Sequence, residues 1–342
     1  MMHSAITYLA SLSVISAENL DTRDCLFIYQ GNNLGFPGFV NSIFLAEVQV
    51  GQWGYVKKID KIVDDYLKGD SFHVYIASVN ALSRILISNK NCVSINFIEE
   101  GTASYFSSYN MGLFFNEYRK SENRIIGVRS FVREFKYYLR AILNLYPIKY
   151  FRLPLDYCNY AFVDDICFYC TNQYTFPLSR NRKVIPLAGN YKNQLEAQYD
   201  LNDQYLWISS KLFDNYPNDT EKLAKIIKDF FRDYIRHTPI TKIYVKFHQY
   251  EKESSKTLLL GIFEELGISS VVMDDSVIME IELLRSKNLT MFGDITSLLL
   301  YNSLWGNKSI SLARLYAKHI KMNPADYSEQ VLNTLIGVDF VE

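Results

Sequence analysis

The chain has 342 residues, 49% of them hydrophobic and 21% charged, and 36 Lys plus Arg against 37 Asp plus Glu leave a formal net charge of −1. This length suffices for two domains with separate cores, and the balanced charge disfavours a nucleic-acid-binding function. Tyr and Phe number 26 and 22, and we expect part of this aromatic excess to line a groove or to face a membrane.

The cysteines and the apolar runs bear on the compartment. Five cysteines stand at 25, 92, 158, 167 and 170, a small odd number that predicts a reducing compartment and no structural disulfides. Cys167 and Cys170 have CxxC spacing, but no second pair or nearby His completes a zinc site, which favours buried packing. No apolar stretch approaches the roughly 20 residues that span a bilayer, and no signal-peptide pattern opens the chain. These features predict a cytoplasmic protein.

The first half of the chain alternates strand and helix patterns. Helices are predicted over 6–15, 57–67 and 82–87, and strands over 25–30, 73–77 and 92–98. This alternation predicts a doubly wound parallel sheet. The last strand stops at Glu99, Glu100 and Gly101, at the edge where open α/β sheets bind ligands. A solvated turn is the simpler interpretation of the two acids taken alone.

Residues 129–152 combine basic and aromatic side chains at helical spacing. One interpretation is a charged helix face that covers apolar surface. The other is contact with anionic lipid headgroups. Pro147 within this segment and Pro154 just after it predict a linker between two halves of the chain.

The second half repeats the alternation. Strands are predicted over 205–209, 243–250 and 270–273, and helices over 221–236, 256–266 and 312–319. Lys246 and His248 end the second of these strands. Gly293 is followed by Thr296 and Ser297, two hydroxyl residues that precede an apolar run that looks helical.

Three of these motifs together resemble the bacterial sialyltransferases of glycosyltransferase family 52 and their polysialyltransferase relatives. That family shares an acidic pair followed by glycine, a Lys-x-His-Pro sequence, and a hydroxyl pair after a glycine turn. Gln249 replaces the family's proline, which predicts a less rigid chain after His248, whereas Thr296 keeps a hydroxyl in the first position of its pair. The family's first strand is missing ahead of the helix at 6–15, which suggests a truncated sequence or a misplaced start.

The resemblance implies roles for the motif residues. Glu99 is the first choice and Glu100 the alternative for the base that accepts the proton of the acceptor hydroxyl. Side chains alternate along a strand, so only one of them points at the substrate. His248 is expected to hydrogen-bond or protonate the departing phosphate, to which Thr296 and Ser297 donate hydrogen bonds. Glu282 matches a glutamate near the nucleotide ribose, although a helix-surface acid is the simpler interpretation. The remaining expected substrate or CMP contacts are Gly101, Lys246 and Gly293.

The resemblance also implies fold and function. It implies a GT-B architecture of two Rossmann-like domains whose parallel sheets face a central cleft. Residues 1–155 would form the acceptor-side domain with the base, 156–310 the CMP-donor domain, and 311–342 helices that pack across both. The implied activity is an inverting, metal-independent sialyltransferase without a cofactor. It would move sialic acid from CMP-Neu5Ac to a hydroxyl, such as that of galactose, on a bacterial surface glycan: lipooligosaccharide, O-antigen or capsule.

Two alternatives stay open. The first is a transferase for another CMP-nonulosonate, such as legionaminic or pseudaminic acid, because the motifs contact CMP more than the sugar. The second is a non-catalytic subunit that binds a CMP-sugar or a glycan. The expected partners are the donor, a glycan or glycolipid acceptor and an anionic membrane, with the protein in the cytoplasm or peripheral on the inner face of the inner membrane.

Overall fold

The computed structural model describes residues 4–29, 41–44, 55–78, 81–105, 139, 160–323, 327 and 329–342. The chain divides into two compact units, Met1–Leu195 and Glu196–Glu342. The glycine-rich loop at 31–38 lies outside the described residues, as does nearly all of the basic and aromatic segment 129–152.

The first unit opens with helix α1 (Ala5–Ala17), which begins with a capping box. The Ser4 hydroxyl accepts the Thr7 amide proton, and the Thr7 hydroxyl oxygen accepts that of Ser4. The described strands of this unit are β1 (Phe27–Tyr29), β2 (Ser42–Phe44), β3 (Phe72–Ile76), β4 (Cys92–Ile98), β5 (Cys167–Cys170) and β6 (Arg182–Val184). Its further described helices are α2 (Tyr55–Leu67), α3 (Ala81–Ser88) and the short 3₁₀ helices Thr22–Asp24, Gly101–Tyr105 and Gly189–Gln194.

Strands β3, β4, β5 and β6 form a four-stranded parallel sheet in that order, and β1 pairs with β2 in parallel. Between β4 and β5 the fully buried rings of Phe97 and Phe168 stack with centroids 4.9 Å apart. Cys167 and Cys170 both lie on β5 as free thiols. Residues three apart on a strand face opposite sides, so these two thiols do not converge on a metal, and burial raises the pKa of Cys170 to about 12.

The second unit contains a six-stranded parallel sheet with helices between its strands. Its described strands are β7 (Tyr205–Ile208), β8 (Lys242–Lys246), β9 (Ser269–Val272), β10 (Thr290–Gly293), β11 (Lys308–Ser311) and β12 (Asp339–Phe340). Its described helices are α4 (Leu212–Asn215), α5 (Thr220–His237), α6 (Glu253–Glu265), α7 (Met279–Arg285), α8 (Ser297–Leu304), α9 (Ala313–His319) and α10 (Glu329–Leu332), with a 3₁₀ turn at Pro217–Asp219.

The strand order of the second sheet is β12-β11-β10-β7-β8-β9. Counted from its first strand in the chain, this is the 3-2-1-4-5-6 order of a Rossmann sheet, and every pairing in it is parallel. The order reverses between β7 and β10. Rossmann sheets bind ligands at that point, beyond the carboxyl ends of the strands.

Aromatic rings fill the core of the second unit. Phe231 on α5 is fully buried, and its ring centroid lies 5.0 Å from that of Phe292 and 5.1 Å from that of Phe263. Trp207 on β7 packs against both Phe231 and Phe263. Part of the aromatic excess noted in the sequence therefore stabilises a protein core.

The predicted α/β class with two Rossmann-like domains is confirmed, whereas the boundary between the domains lies later than predicted. The sequence placed it at 155/156, but β5 and β6 hydrogen-bond to the sheet of β4 and so belong to the first unit. The C-terminal segment, predicted to be helical, also adds β12 to the second sheet. None of the helices that the described residues form is long and apolar enough to cross a membrane.

Candidate active site

Pairing across three neighbouring strands brings two of the sequence motifs together at the reversal point of the second sheet. Gly293 at the end of β10 pairs with Ile208 at the end of β7, and Ile208 pairs with Lys246 at the end of β8. Adjacent strands are about 4.8 Å apart, so the ends of β8 and β10 lie about 10 Å from each other. The lysine motif and the glycine motif therefore border the same strand end.

The glycine and hydroxyl motif connects β10 to α8. A Cβ atom at Gly293 would lie 2.9 Å from the carbonyl oxygen of Ile208, so glycine lets β10 approach β7 closely here. Thr296 is the N-cap of α8, and its hydroxyl oxygen accepts the Leu298 amide proton over 3.3 Å. Its hydroxyl hydrogen can still be donated to a ligand. Ser297 is the first residue of the helix. The backbone amides at a helix start favour binding of an anion.

His248 lies beyond the end of its strand. The sequence predicted a strand over 243–250, but β8 ends at Lys246, and His248 begins an exposed turn. The Tyr250 amide donates to Nδ1 of His248 over 3.2 Å, and the Glu251 amide donates to the His248 carbonyl over 2.9 Å. Loss of hydration, together with the positive charge of Lys211, lowers the pKa of His248.

Lys246 links the ends of β8 and β9. Its Nζ donates to the carbonyl oxygen of Asp274 over 2.5 Å. Burial lowers the pKa of Lys246, while the carboxylates of Asp275, Asp274 and Glu280 act in the opposite direction. The ammonium group thus lies among acids at the edge of the sheet.

Glu282 has a structural environment that its sequence context did not indicate. Its side chain on α7 is 2% exposed, so the interpretation as a helix-surface acid is wrong. Its carboxylate accepts the backbone amide protons of Gln198 and Tyr199 over 2.8 and 3.0 Å. These bonds anchor the start of the second unit to α7. A contact with ribose would require this segment to move away from the carboxylate.

Sequence reasoning missed Asp294, which organises the reversal point. Its carboxylate accepts hydrogen bonds from the hydroxyls of Ser210 and Tyr327, and its carbonyl accepts one from Ser311. The Ser210 bond joins the segment after β7 to the segment after β10. A small cavity beneath them is lined on its polar side by Ser209, Ser210 and Asp294. The feature of the sequence that could have indicated Asp294 is its position directly after Gly293 of the glycine motif.

Glu99 lies in the first unit at the end of β4, and its side chain is fully buried. Its Oε1 accepts the Tyr105 hydroxyl proton over 2.6 Å, and its Oε2 accepts the amide and hydroxyl protons of Thr171 over 2.9 and 2.7 Å. Asn172 in turn donates to the Tyr105 oxygen. The interpretation of Glu99 as part of a solvated turn is therefore wrong.

Glu100 and Gly101 begin the turn that follows. The Glu100 side chain is half-buried, and its amide donates to the Ser104 hydroxyl over 2.7 Å. Gly101 has a φ of +59°, a left-handed conformation in which glycine is favoured. The glycine thus lets the chain turn directly after the two acids, and the two glutamates differ in their access to solvent.

The fold and the site define an α/β protein of two Rossmann-like units. Its second unit presents a lysine, a histidine and hydroxyl groups at the edge where sheets of this type bind ligands. Among the residues that the structure describes, no three His, Cys, Asp or Glu side chains are grouped to hold a metal ion.

A family model described as alpha-2,8-polysialyltransferase matches residues 12–314. The chain belongs to this family of sialyltransferases, which are glycosyltransferases. Comparison with curated proteins finds no match. Among solved structures, UDP-GlcNAc 2-epimerase from Methanocaldococcus jannaschii aligns over 98% of this chain and 85% of that chain, with 12% identity and a TM-score of 0.49.

Proposed function

We propose that the protein transfers sialic acid from CMP-Neu5Ac to a hydroxyl group of a bacterial surface glycan. The family match supports the class of reaction. The observation that carries the proposal further is the pairing of Ile208 with both Lys246 and Gly293 at the reversal point of the second sheet. It aligns two of the three sequence motifs at an edge suited to a nucleotide phosphate.

The donor side of the reaction belongs to the second unit in this proposal. When the bond between sugar and phosphate breaks, negative charge grows on the CMP phosphate. Lys246 supplies a positive charge, His248 an imidazole N–H, and Thr296 and Ser297 hydroxyl donors with the free amides of a helix start. Gly293 supports this arrangement because only a residue without Cβ fits beside the Ile208 carbonyl. Glu282 then acts as an anchor rather than as the first contact of the ribose.

The acceptor side belongs to the first unit, where one of two carboxylates removes the acceptor proton. We retain Glu99 as the proposed base, because the donors from Tyr105 and Thr171 orient its carboxylate and stabilise its charge. This assignment requires the surrounding chain to open, since Glu99 is closed to solvent. Glu100 is the alternative because its side chain is partly accessible. A single displacement by either base inverts the anomeric configuration.

No metal or cofactor is required in this scheme. CMP carries one phosphate, so less charge needs neutralising than with a diphosphate donor, and Lys246 with the helix start of α8 is suited to that charge. We further propose a position in the cytoplasm or on the inner face of the membrane, with residues 129–152 as the contact for anionic lipid.

The acceptor has two candidate termini. A galactose hydroxyl was expected from the motif resemblance. The family description names an α2,8 linkage, which favours a terminal sialic acid and repeated addition. Other CMP-nonulosonates remain the alternative donors, and a subunit that binds CMP-sugar without turnover is the alternative from another class.

The test is release of CMP from CMP-Neu5Ac, CMP-legionaminic acid and CMP-pseudaminic acid, each with EDTA present. Each donor is offered galactose-terminated and sialic acid-terminated oligosaccharides, and the products are identified by mass spectrometry. We expect acceptor-dependent CMP release with CMP-Neu5Ac and retention of activity in EDTA. CMP binding without release for any donor and acceptor would contradict the proposal and favour the binding subunit.

A further inference from the structure

The turn after β8 is held by a buried glutamate that the sequence motifs do not include. Glu251 is 6% exposed, and its Oε1 accepts the Ser209 hydroxyl proton over 2.7 Å. Its Oε2 accepts the backbone amide proton of His248 over 3.2 Å. One carboxylate therefore connects the amide of His248 to the end of the neighbouring strand β7.

Backbone hydrogen bonds hold the same turn, one within it and one to the residue that follows β7. The Glu251 amide donates to the His248 carbonyl, and the Ser209 amide donates to the Lys246 carbonyl over 3.0 Å. Proline, which the resembled family has after this histidine, would fix φ by its ring, but Gln249 does not. The Glu251 carboxylate instead holds the turn, because it accepts hydrogen bonds from both the His248 amide and the Ser209 hydroxyl.

The turn also sets the tautomer of the imidazole. Nδ1 of His248 accepts the Tyr250 amide proton over 3.2 Å, so the hydrogen of the neutral ring resides on Nε2. An Nε2–H group is a hydrogen-bond donor without requiring a charged ring. Loss of hydration, together with the nearby charge of Lys211, lowers the pKa of His248 and so favours this neutral form.

We propose that Glu251 is a positioning residue for His248. By holding the His248 amide against the end of β7, it keeps Nδ1 within reach of the Tyr250 amide and so presents Nε2–H to the phosphate of the CMP-sugar. This inference rests on the proposed function for the identity of the ligand. Glu251 itself does not contact the substrate.

A double-mutant cycle on CMP affinity, measured by calorimetry, tests the coupling between the two residues. Glu251→Ala is expected to weaken CMP binding roughly tenfold in the otherwise native chain, as expected for a lost hydrogen bond. In a His248→Ala background the same change should alter affinity less than about twofold, because its only route is through the imidazole. Glu251→Gln keeps a carbonyl acceptor for the His248 amide and should restore most of the affinity.

The ring nitrogens of His248 give a second readout that a general loss of stability would not move. In ¹⁵N spectra of the free protein, Glu251→Ala should convert a dominant Nε2–H signal into a mixture of tautomers. Glu253→Ala is the matched control, since Glu253 is the first residue of α6, its side chain is 83% exposed, and its ion pair among the described residues is with Lys256. It should change neither the affinity nor the spectrum.

The outcomes separate the positioning role of Glu251 from the binding role of His248. Equal weakening by Glu251→Ala in both backgrounds, or none in either, would overturn the positioning role and leave the donor site in place. CMP affinity unaffected by His248→Ala would contradict the proposed role of His248. In that case an unchanged Nε2–H population in Glu251→Ala would overturn the positioning role as well, and a shifted population would support it.

Discussion

Three hydrogen-bond donors converge on the carboxylate of Glu99, and two of them come from Thr171. A carboxylate that accepts several hydrogen bonds is held in one orientation. The third donor, Tyr105, is fixed in turn by Asn172. Glu99 of the acidic motif is thus one member of a buried hydrogen-bond network that also includes Tyr105, Thr171 and Asn172.

Tyr105→Phe tests that network. It removes the hydroxyl that donates to Glu99, and a lost bond to a charged group lowers the free energy of unfolding by about 2 kcal/mol. If Glu99 is the base, its carboxylate also loses one of the donors that orient it, so kcat/KM falls. Denaturant unfolding and steady-state kinetics provide the two measurements.

Tyr174→Phe is the control for this change, because it also removes one tyrosine hydroxyl but at a residue that is 44% exposed. It should leave both quantities unchanged. A Tyr105→Phe variant with native stability would contradict the observed bond to Glu99. Altered stability with an unchanged kcat/KM would favour Glu100 as the base.

The pKa of His248 predicts a specific dependence of stability on pH. The folded-state pKa lies below the unfolded value of 6.5, so the unfolded chain binds the proton more readily. The resulting stability is present above that value and is lost as the pH falls through the folded-state pKa. His248→Gln, which does not titrate, should therefore lose less stability than the native protein between pH 7.5 and pH about 5. Equal losses in urea unfolding at the two pH values would show that His248 titrates normally.

Sequence reasoning found the motif residues but not their partners. Glu99, His248 and Thr296 stand in recognisable local patterns, whereas Thr171 lies 72 positions from Glu99 and Ser209 lies 42 from Glu251. Only the pairing of β4 with β5 and of β7 with β8 brings these residues together. A Thr after a strand has no local feature that identifies it as a carboxylate partner.

Among the elements, the close approach of β10 and β7 positions the residues of the proposed donor site. Gly293→Ala would place a methyl group 2.9 Å from the Ile208 carbonyl, so one strand must shift. Overpacking of this kind costs about 1–3 kcal/mol of unfolding free energy. Because Thr296 and Ser297 follow directly, we also expect weaker CMP binding, measured by calorimetry.

Gly261→Ala provides the matched control within the same unit. Gly261 lies on α6, and nothing is within 4 Å of the position of an added Cβ. Alanine there should stabilise the protein by about 1 kcal/mol, through helix propensity alone, and leave CMP affinity unchanged. Native affinity in Gly293→Ala would show that the spacing of β10 and β7 does not matter for the nucleotide.

Long amphipathic elements were predictable and short polar ones were not. Helix α5 was expected over 221–236 and is observed at Thr220–His237, because its apolar residues recur with helical period. Strand β6 (Arg182–Val184) is exposed throughout and has no alternating pattern, and its segment was expected to be a loop up to residue 182. Strands β10 and β11, of four residues each, were not predicted, although β7 and β9 of the same length were.

Each of the two units has its own core, which predicts separable effects of core mutations. Phe231→Ala in the second unit and Phe97→Ala in the first each remove a fully buried ring, at a cost of about 3–5 kcal/mol. Hydrogen exchange followed by mass spectrometry should rise mainly across β7, β8 and β10 in the first variant and across β3, β4 and β5 in the second. Equal increases throughout the chain in both variants would show that the units unfold as one.

At the level of the whole chain, the class of fold followed from the alternation of strands and helices. The boundary between units did not, because Pro147 and Pro154 are local signals while the pairing of β5 with β4 is not. The order of the second sheet was equally inaccessible, since strand periodicity does not state which strands are neighbours. That order identifies the reversal point at which the lysine and glycine motifs lie side by side.

The most direct test compares turnover with CMP affinity in variants of the two units. In Glu99→Gln, single-turnover release of CMP from CMP-Neu5Ac should fall roughly 100-fold or more, as for loss of a general base, while calorimetric CMP affinity stays native. In His248→Ala, both turnover and CMP affinity should fall. Undiminished turnover in both Glu99→Gln and Glu100→Gln, or native CMP affinity in His248→Ala, would contradict the division of the reaction between an acceptor-side carboxylate and a CMP site at the second sheet.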